Sequence, residues 1–201
     1  GPESAVYRSK DGGETWVKSM KGLPSVHIGG MGIDVSPVDH NIVYLIVEAA
    51  EGKGGFFRST DRGASWEKMG DHSSSGQYYN EIFCDPNDVD VVYSVETRTK
   101  VTRDGGKTWN TLSTAQRHVD DHALWIDPHN KDRYYVGNDK GTSLTHDHGE
   151  AYVYLDNLAL GQFYAVAVDM RDPYYVYGGL QDNGIWGGPS NSRNSSGIPP
   201  M

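Results

Sequence analysis

Apolar residues along the chain come in short runs, many of which alternate with polar residues. Between residues 81 and 113 these runs are EIFCD, VVYSVE, KVTRD and KTWNTL, with turn-favouring residues between them. Val, Ile, Tyr, Phe and Trp are frequent in the runs, as in half-buried pleated strands. The pattern favours short strands over long amphipathic helices. It therefore predicts an all-β protein in which each group of four strands forms an antiparallel sheet.

Two motifs recur together along the chain. The first is SKDGGETW, STDRGASW, TRDGGKTW and, in degraded form, THDHGEAY, with its aspartates separated by 50, 43 and 43 residues. The second contains Asp34, Asp85, Asp127 and Asp169, separated by 51, 42 and 42 residues. A four-stranded unit that repeats every 40 to 45 residues is the signature of a β-propeller blade.

The repeat period divides residues 1–188 into blades. We predict a half-blade at 1–20, full blades at about 27–70, 78–113 and 119–155, a partial blade at 162–188, and a disordered tail at 189–201. One alternative is an open fragment, whose edges would pair with another chain. The other is a closed ring of four blades, in which the N-terminal strands complete the C-terminal partial blade.

The first motif has the residues of a tight structural turn. An Asp side chain accepts hydrogen bonds from its own turn, the following Gly adopts a positive φ, and the final aromatic ring packs against a neighbouring sheet. One carboxylate per turn is too few oxygen ligands for Ca²⁺. We therefore assign a structural role to the aspartates and aromatic residues of the four copies: Asp11, Trp16, Asp61, Trp66, Asp104, Trp109, Asp147 and Tyr152.

The motif S/T-x-D-x-G-x-T/S-W resembles the Asp-box, or BNR repeat, of sialidases, sortilin-like proteins and xyloglucan-cleaving glycosidases. The stretches FFRSTDRGASWEK, SSGQYYNEIFCDP and RHVDDHALWIDP are similar to large bacterial sortilin-like, glycosyl-hydrolase-like BNR-repeat proteins. The resemblance implies a β-propeller and a chain that is part of a longer protein. The fourth motif departs from the pattern, since Ala151 and Tyr152 replace Thr and Trp.

The net charge and composition limit the classes of molecule that the protein is expected to bind. The net charge of −9 disfavours nucleic acid and anionic membranes, and no apolar run approaches the length of a membrane span. We expect a glycan or protein ligand, no nucleic acid, no membrane insertion and no cofactor, with self-association or pairing with the rest of a larger propeller as a further expectation. The single cysteine, Cys84, is expected to be buried. A secreted or periplasmic location is expected.

Candidate chemistry lies in the loops on the face opposite the Asp-boxes. These loops combine aromatic rings with amides and carboxylates, the groups that sugar recognition requires. The candidates are Tyr78, Asn80, Glu81, His118, Asp120, Asp121, His122, Gln181, Asp182 and Asn183. In an extended RHVDDH segment, His118, Asp120 and His122 would share one face and could bind a divalent metal. We expect no metal there, because one short segment rarely supplies a whole site.

These features favour a non-catalytic binding or scaffold module. The alternative is part of a xyloglucanase-like glycoside hydrolase that uses two carboxylates about 5–9.5 Å apart. The carboxylates available for such a pair are Glu81, Asp120, Asp121, Asp139 and Asp182, and their spacing selects no two of them. A sialidase is disfavoured because it needs an arginine cluster, and this face has mainly Arg98 and Arg117.

Overall fold

Over the part of the chain that the structure describes, the strands form five small antiparallel sheets. The computed structural model describes residues 3–74, 79–157, 161–181 and 184–191. Three sheets have four strands, one has three and one has two. The prediction of an all-β protein with four-stranded antiparallel units is confirmed. In the described residues no helix is long and apolar enough to cross a membrane.

Every sheet is formed by strands that are consecutive in the chain. An N-terminal strand pair consists of β1 (Tyr7–Arg8) and β2 (Val17–Lys18). Blade 1 consists of β3 (Ile28–Val35), β4 (Val43–Ala49), β5 (Gly55–Ser59) and β6 (Glu67–Gly70), with a 3₁₀ turn at Ala50–Gly52 after β4. Blade 2 consists of β7 (Glu81–Cys84), β8 (Val92–Val95), β9 (Lys100–Thr102) and β10 (Asn110–Thr111). Blade 3 consists of β11 (Asp121–Ile126), β12 (Tyr134–Asn138), β13 (Gly141–Thr145) and β14 (Val153–Tyr154).

A C-terminal sheet contains β15 (Phe163–Val168), β16 (Tyr175–Leu180) and β17 (Ile185–Pro189). The chain separates into two compact units, residues 1–156 and 157–201. The first unit holds the strand pair and the three blades, and the second holds the C-terminal sheet. Residues 192–201, most of the predicted disordered tail, lie outside the described residues.

Three apolar cores fill the spaces between successive sheets of the first unit. Each core is completed by the aromatic residue that ends the Asp-box of the later sheet. Trp66 of blade 1 packs with Val6 of the strand pair, Trp109 of blade 2 packs against blade 1, and Tyr152 of blade 3 packs with blade 2. Trp16 belongs to the N-terminal strand pair, which is the first of these sheets, and is 62% exposed. The aromatic ring is therefore the contact that joins one blade to the sheet before it.

The Asp-box turns are held by a repeated set of hydrogen bonds. In the second copy the Ser59 hydroxyl donates to Asp61 (2.7 Å) and accepts from the amide of Gly63 (2.8 Å). Both oxygens of Asp61 also accept from Ser65, one from the amide at 2.8 Å and one from the hydroxyl at 2.6 Å. Since protein donors bond both carboxylate oxygens, the turn has a structural role.

The degraded fourth copy keeps part of this network. Asp147 accepts from the Thr145 hydroxyl at 2.7 Å and from the amide of Ala151 at 3.0 Å. Ala151 has no hydroxyl, so the side-chain bond that Ser65 makes in the second copy cannot form. The backbone bonds are therefore sufficient to keep the turn, with fewer contacts.

Close approach between blades requires glycine at particular positions. A Cβ atom on Gly32 in β3 would lie 1.5 Å from the carbonyl oxygen of Asn80, which precedes the first strand of the next blade. A Cβ atom on Gly106 in the third Asp-box would lie 2.2 Å from the ring of Phe56. Without side chains at these two positions, the backbone of one blade can approach the backbone or a ring of its neighbour closely.

Candidate functional site

The candidate residues and the Asp-box turns lie at opposite ends of the blades. Strand β13 begins at Gly141 and ends at Thr145. Asp139 lies in the turn before its first residue, and the Asp-box residue Asp147 lies in the turn after its last residue. The side chains of the candidate site are therefore at the opposite end of the blade from the structural turn.

Four side chains from blades 2 and 3 meet at this end. Asp120 and His122 come from the start of β11, Asp139 from the β12–β13 turn, and Tyr79 from the segment before β7. The Nε2 atom of His122 lies 3.6 Å from Oδ1 of Asp120 and 3.4 Å from Oδ1 of Asp139. The Tyr79 hydroxyl donates to Asp120, and the Tyr79 ring stacks on His122 with centroids 5.7 Å apart and planes at 16°. We call Tyr79, Asp120, His122 and Asp139 the mouth cluster.

The backbone explains how Asp120 and His122 reach the same place. Asp120 has a left-handed φ of 69°, and its amide donates to the carbonyl of Thr97 at 2.8 Å. The pairing of β11 with β12 shifts register between Asp121 and Ala123, which marks a β-bulge at His122. The segment is therefore not extended through Asp120, and its side chains do not simply alternate.

The electrostatics of the mouth cluster are dominated by the two carboxylates. Burial, followed by the negative charge of Asp139, raises the pKa of Asp120 above its usual range, while His122 acts in the opposite direction. A neighbouring negative charge disfavours the ionised form of a carboxyl group, as it does here for Asp120. The mouth cluster is therefore a place where a proton or another cation is favoured.

Asp121, between the two cluster residues, points into the protein. Its carboxylate pairs with Arg117 at 2.5 Å, both side chains are fully buried, and it accepts from the Thr99 hydroxyl at 2.7 Å. The Arg117 guanidinium also lies over the Tyr152 ring, 4.7 Å from its centroid. This buried ion pair fixes the loop that carries the cluster, and neither group is presented at the surface.

His118 is exposed, but its imidazole is not part of the mouth cluster. Its Nδ1 lies 2.6 Å from the carbonyl oxygen of Val119. Its own carbonyl oxygen accepts from the side chain of Asn138 at 3.2 Å. The ligand atoms that lie within 4.8 Å of one another come from Asp120, His122 and Asp139.

The loop before β7 contributes further polar groups. Asn80 accepts from the Ser74 hydroxyl at 2.5 Å, and Glu81 is exposed at the start of β7. A shallow depression between β3 and β7 is lined by Gly30, Gly32, Asn80 and Phe83, among others. Tyr78 lies outside the described residues.

The remaining candidates belong to the second compact unit. The amide of Gln181 donates to the carbonyl of Gln162 at 3.0 Å. Asp182 and Asn183 lie outside the described residues. The hypothesis that this loop binds a ligand stays a prediction.

Sequence reasoning did not select two members of the mouth cluster. Asp139 is one of several carboxylates for which the spacing selects no partner, and Tyr79 is not among the candidate residues. Asp139 could have been found from its position in the turn before β13. In an antiparallel pair of β11 and β12, that turn lies beside the start of β11.

Comparison with known proteins supports the fold. Residues 7–18 match the family model described as BNR/Asp-box repeat. No curated protein sequence matches the chain. Three solved structures share the fold: the GH74 enzyme of Niastella koreensis (15% identity, 81% of this chain, 28% of that chain, TM-score 0.52), the GH74 xyloglucanase of Xanthomonas campestris (17%, 89%, 31%, 0.54) and an ancestral GH74 enzyme (15%, 96%, 28%, 0.55).

This chain spans 28–31% of the length of these three structures. At such low identity the similarity establishes the fold alone. The matched repeat, the other Asp-box copies and the four-stranded sheets lead to the same assignment. The chain carries the Asp-box (BNR) repeat and has the fold of a β-propeller segment.

Proposed function

We propose that the chain is a non-catalytic β-propeller module that binds a glycan through the mouth cluster. The observation that carries the proposal is the stacked pair of Tyr79 and His122 beside two carboxylates. Aromatic faces pack against the C–H faces of sugars, and carboxylates accept hydrogen bonds from hydroxyl groups. The side chain of His122 is 44% exposed and that of Asp139 is 35% exposed, so a ligand can reach both.

The placement of the carboxylates supports a binding module over a purely structural scaffold. In the first three Asp-boxes, both oxygens of the aspartate accept hydrogen bonds from donors of their own turn. The mouth cluster instead places two carboxylates beside each other at the surface. Adjacent carboxylates repel each other, and such arrangements of like charges are common at functional sites.

A glycoside hydrolase is the second candidate, supported by the proximity of Asp120 and Asp139. Their ligand atoms lie within 4.8 Å of each other, near the separation of about 5–5.5 Å used by retaining glycosidases. The position of His122 argues against this role. Its Nε2 lies 3.4–3.6 Å from both carboxylates and occupies the space where a glycosidic bond would have to be placed.

The test is binding of a panel of soluble oligosaccharides, measured by isothermal titration calorimetry on the full chain. Xyloglucan fragments are the first probes, because a xyloglucanase is among the proteins with this fold. We expect Tyr79→Ala and His122→Ala to weaken binding at least tenfold. His146→Ala is the matched control, since His146 is exposed in the Asp-box turn of blade 3, at the opposite end of the blade from His122.

Two outcomes would contradict the proposal. Equal loss of affinity in His146→Ala would show that the mouth cluster is not the binding site. Release of reducing sugar by the wild-type chain, abolished by Asp120→Asn, would show that the chain is a hydrolase.

A further inference from the structure

Three side chains of the mouth cluster converge as metal ligands do. The three are Asp120, His122 and Asp139, and one ligand atom from each lies within 4.8 Å of the others. They come from two separate segments of blade 3, the start of β11 and the β12–β13 turn. The RHVDDH stretch alone is too short to supply a whole metal site, whereas here a second segment adds the ligand Asp139.

The two separations from His122 match the geometry of a small four-coordinate ion. An ion bound at about 2.0–2.2 Å in a tetrahedron holds its ligand atoms about 3.3–3.6 Å apart. The separations of Nε2 of His122 from the two carboxylate oxygens are 3.6 Å and 3.4 Å. Charge-assisted hydrogen bonds are shorter, about 2.7–2.9 Å.

A proton on His122 cannot serve both carboxylates equally. Nε2 carries one hydrogen, which can point at Asp120 or at Asp139, whereas a cation placed between the three atoms contacts all of them. A divalent ion also balances the charges of the two carboxylates. We therefore propose that Asp120, His122 and Asp139 bind a divalent transition-metal ion of the Zn²⁺ class.

The donor set determines the type of ion. One imidazole nitrogen with two carboxylates suits Zn²⁺ and its neighbours in the first transition row. Ca²⁺ and Mg²⁺ prefer sites made only of oxygen ligands, and Mg²⁺ in addition requires a near-octahedral shell. Zn²⁺ is thus the ion to test first, with Ca²⁺ and Mg²⁺ as negative controls.

Neighbouring groups hold the ligands in place. The Tyr79 hydroxyl donates to Asp120, and its ring stacks on His122, so one residue of blade 2 orients two ligands. Between those ligands, the buried pair of Asp121 and Arg117 fixes the backbone. The support is therefore independent of the ion.

The site is open on one side. Three protein ligands leave a fourth position of the tetrahedron, and the exposed fractions of 44% for His122 and 35% for Asp139 allow water or a ligand to reach it. The inference concerns the same face as the proposed function, but it does not rest on glycan binding there.

The experiment is Zn²⁺ titration of the full, chelator-treated chain, followed by native mass spectrometry and calorimetry in the absence of any sugar. We expect one Zn²⁺ per chain and a higher thermal midpoint on binding. Asp139→Asn should weaken binding at least tenfold. His118→Ala is the matched control, because His118 lies in the same loop and its ring is outside the cluster.

A second variant keeps the test informative if Asp139→Asn is poorly folded. His122→Gln removes the nitrogen ligand, and each variant is compared with wild type by its thermal midpoint in chelator. Absence of stoichiometric Zn²⁺ uptake by the wild-type chain overturns the inference, as does equal loss of affinity in His118→Ala. The two proposals are tested separately. Sugar binding in the presence of chelator tests the glycan proposal, and the Zn²⁺ titration tests the metal site.

Discussion

At the scale of single residues, the repeated octet shows what a sequence motif can and cannot specify. The glycine two residues after each aspartate has the expected positive φ, for example 98° at Gly13 and 75° at Gly63. The residue between aspartate and glycine also has a positive φ, including 59° at Arg62 and 61° at His148. The sequence does not predict this second feature, because non-glycine residues rarely adopt that conformation and only the tertiary contacts of the turn impose it.

His72 provides a pH-dependent test at this scale. Its ring lies 4.1 Å from the Trp109 ring, and within the described part of the chain its Nε2 is buried without a hydrogen-bond partner. Burial, followed by the positive charge of Lys100, lowers the pKa of His72 from 6.5 to about 4, with Glu96 acting in the opposite direction. The folded protein therefore holds a neutral imidazole at pH values where the unfolded chain is protonated.

The contribution of His72 to the free energy of unfolding is therefore at its full value above pH 6.5. It decreases as the pH falls towards 4, because His72 binds a proton in the unfolded chain before it does so in the folded protein. We expect this loss to be about 1–3 kcal/mol, after allowance for partial solvent exposure. Urea unfolding at pH 7 and pH 4.5 measures it, with His72→Phe as the control that keeps an aromatic ring and removes the titration. The same pH dependence in both proteins would contradict the assignment.

At the scale of elements, the aromatic residues that end the Asp-boxes join successive sheets. Trp66 is 6% exposed in the core between the strand pair and blade 1, whereas Trp16 is 62% exposed. Both end the same motif, so the motif alone cannot distinguish them. The difference arises because Trp66 has a preceding sheet to pack against.

The two tryptophans therefore form a matched pair for mutation. Trp66→Ala should reduce the free energy of unfolding by about 3–5 kcal/mol, the usual cost of removing a large buried aromatic ring. Trp16→Ala, at an exposed site, should change it by no more than about 0.5 kcal/mol. Equilibrium denaturation followed by tyrosine and tryptophan fluorescence and by circular dichroism gives both values. Equal effects would show that Trp66 is not a packing contact between sheets.

Strand pattern and repeat period were enough to predict the sheets, because each blade is built from neighbours in sequence. The mouth cluster was only partly predictable for the opposite reason. Asp120 and His122 are close in sequence, but Asp139 joins them through the pairing of β11 with β12, and Tyr79 joins from another blade. The bulge at His122 and the left-handed Asp120 also break the alternation on which the sequence argument relied.

At the scale of the whole molecule, the three apolar cores lie within the first compact unit. Their residues run from Val6 to Tyr152, and that unit ends at Asp156. Each core is a contact between two successive sheets, as in repeat architectures whose stability comes from neighbouring units.

A chain truncated after Asp156 should therefore remain folded. We expect its thermal midpoint to stay within about 4 °C of that of the full chain, a shift equivalent to about 1 kcal/mol for a domain of this size.

Truncation after Leu112 is the contrasting variant. It removes blade 3 and exposes one wall of a core that includes the fully buried Tyr93 and Val101. Near-ultraviolet circular dichroism during heating distinguishes the outcomes. A cooperative transition in the longer fragment and a broad, weakened one in the shorter fragment are expected, because blade 2 keeps both packing partners only in the longer fragment. Loss of the cooperative transition in the longer fragment would instead show that the C-terminal sheet is needed for the stability of the first unit.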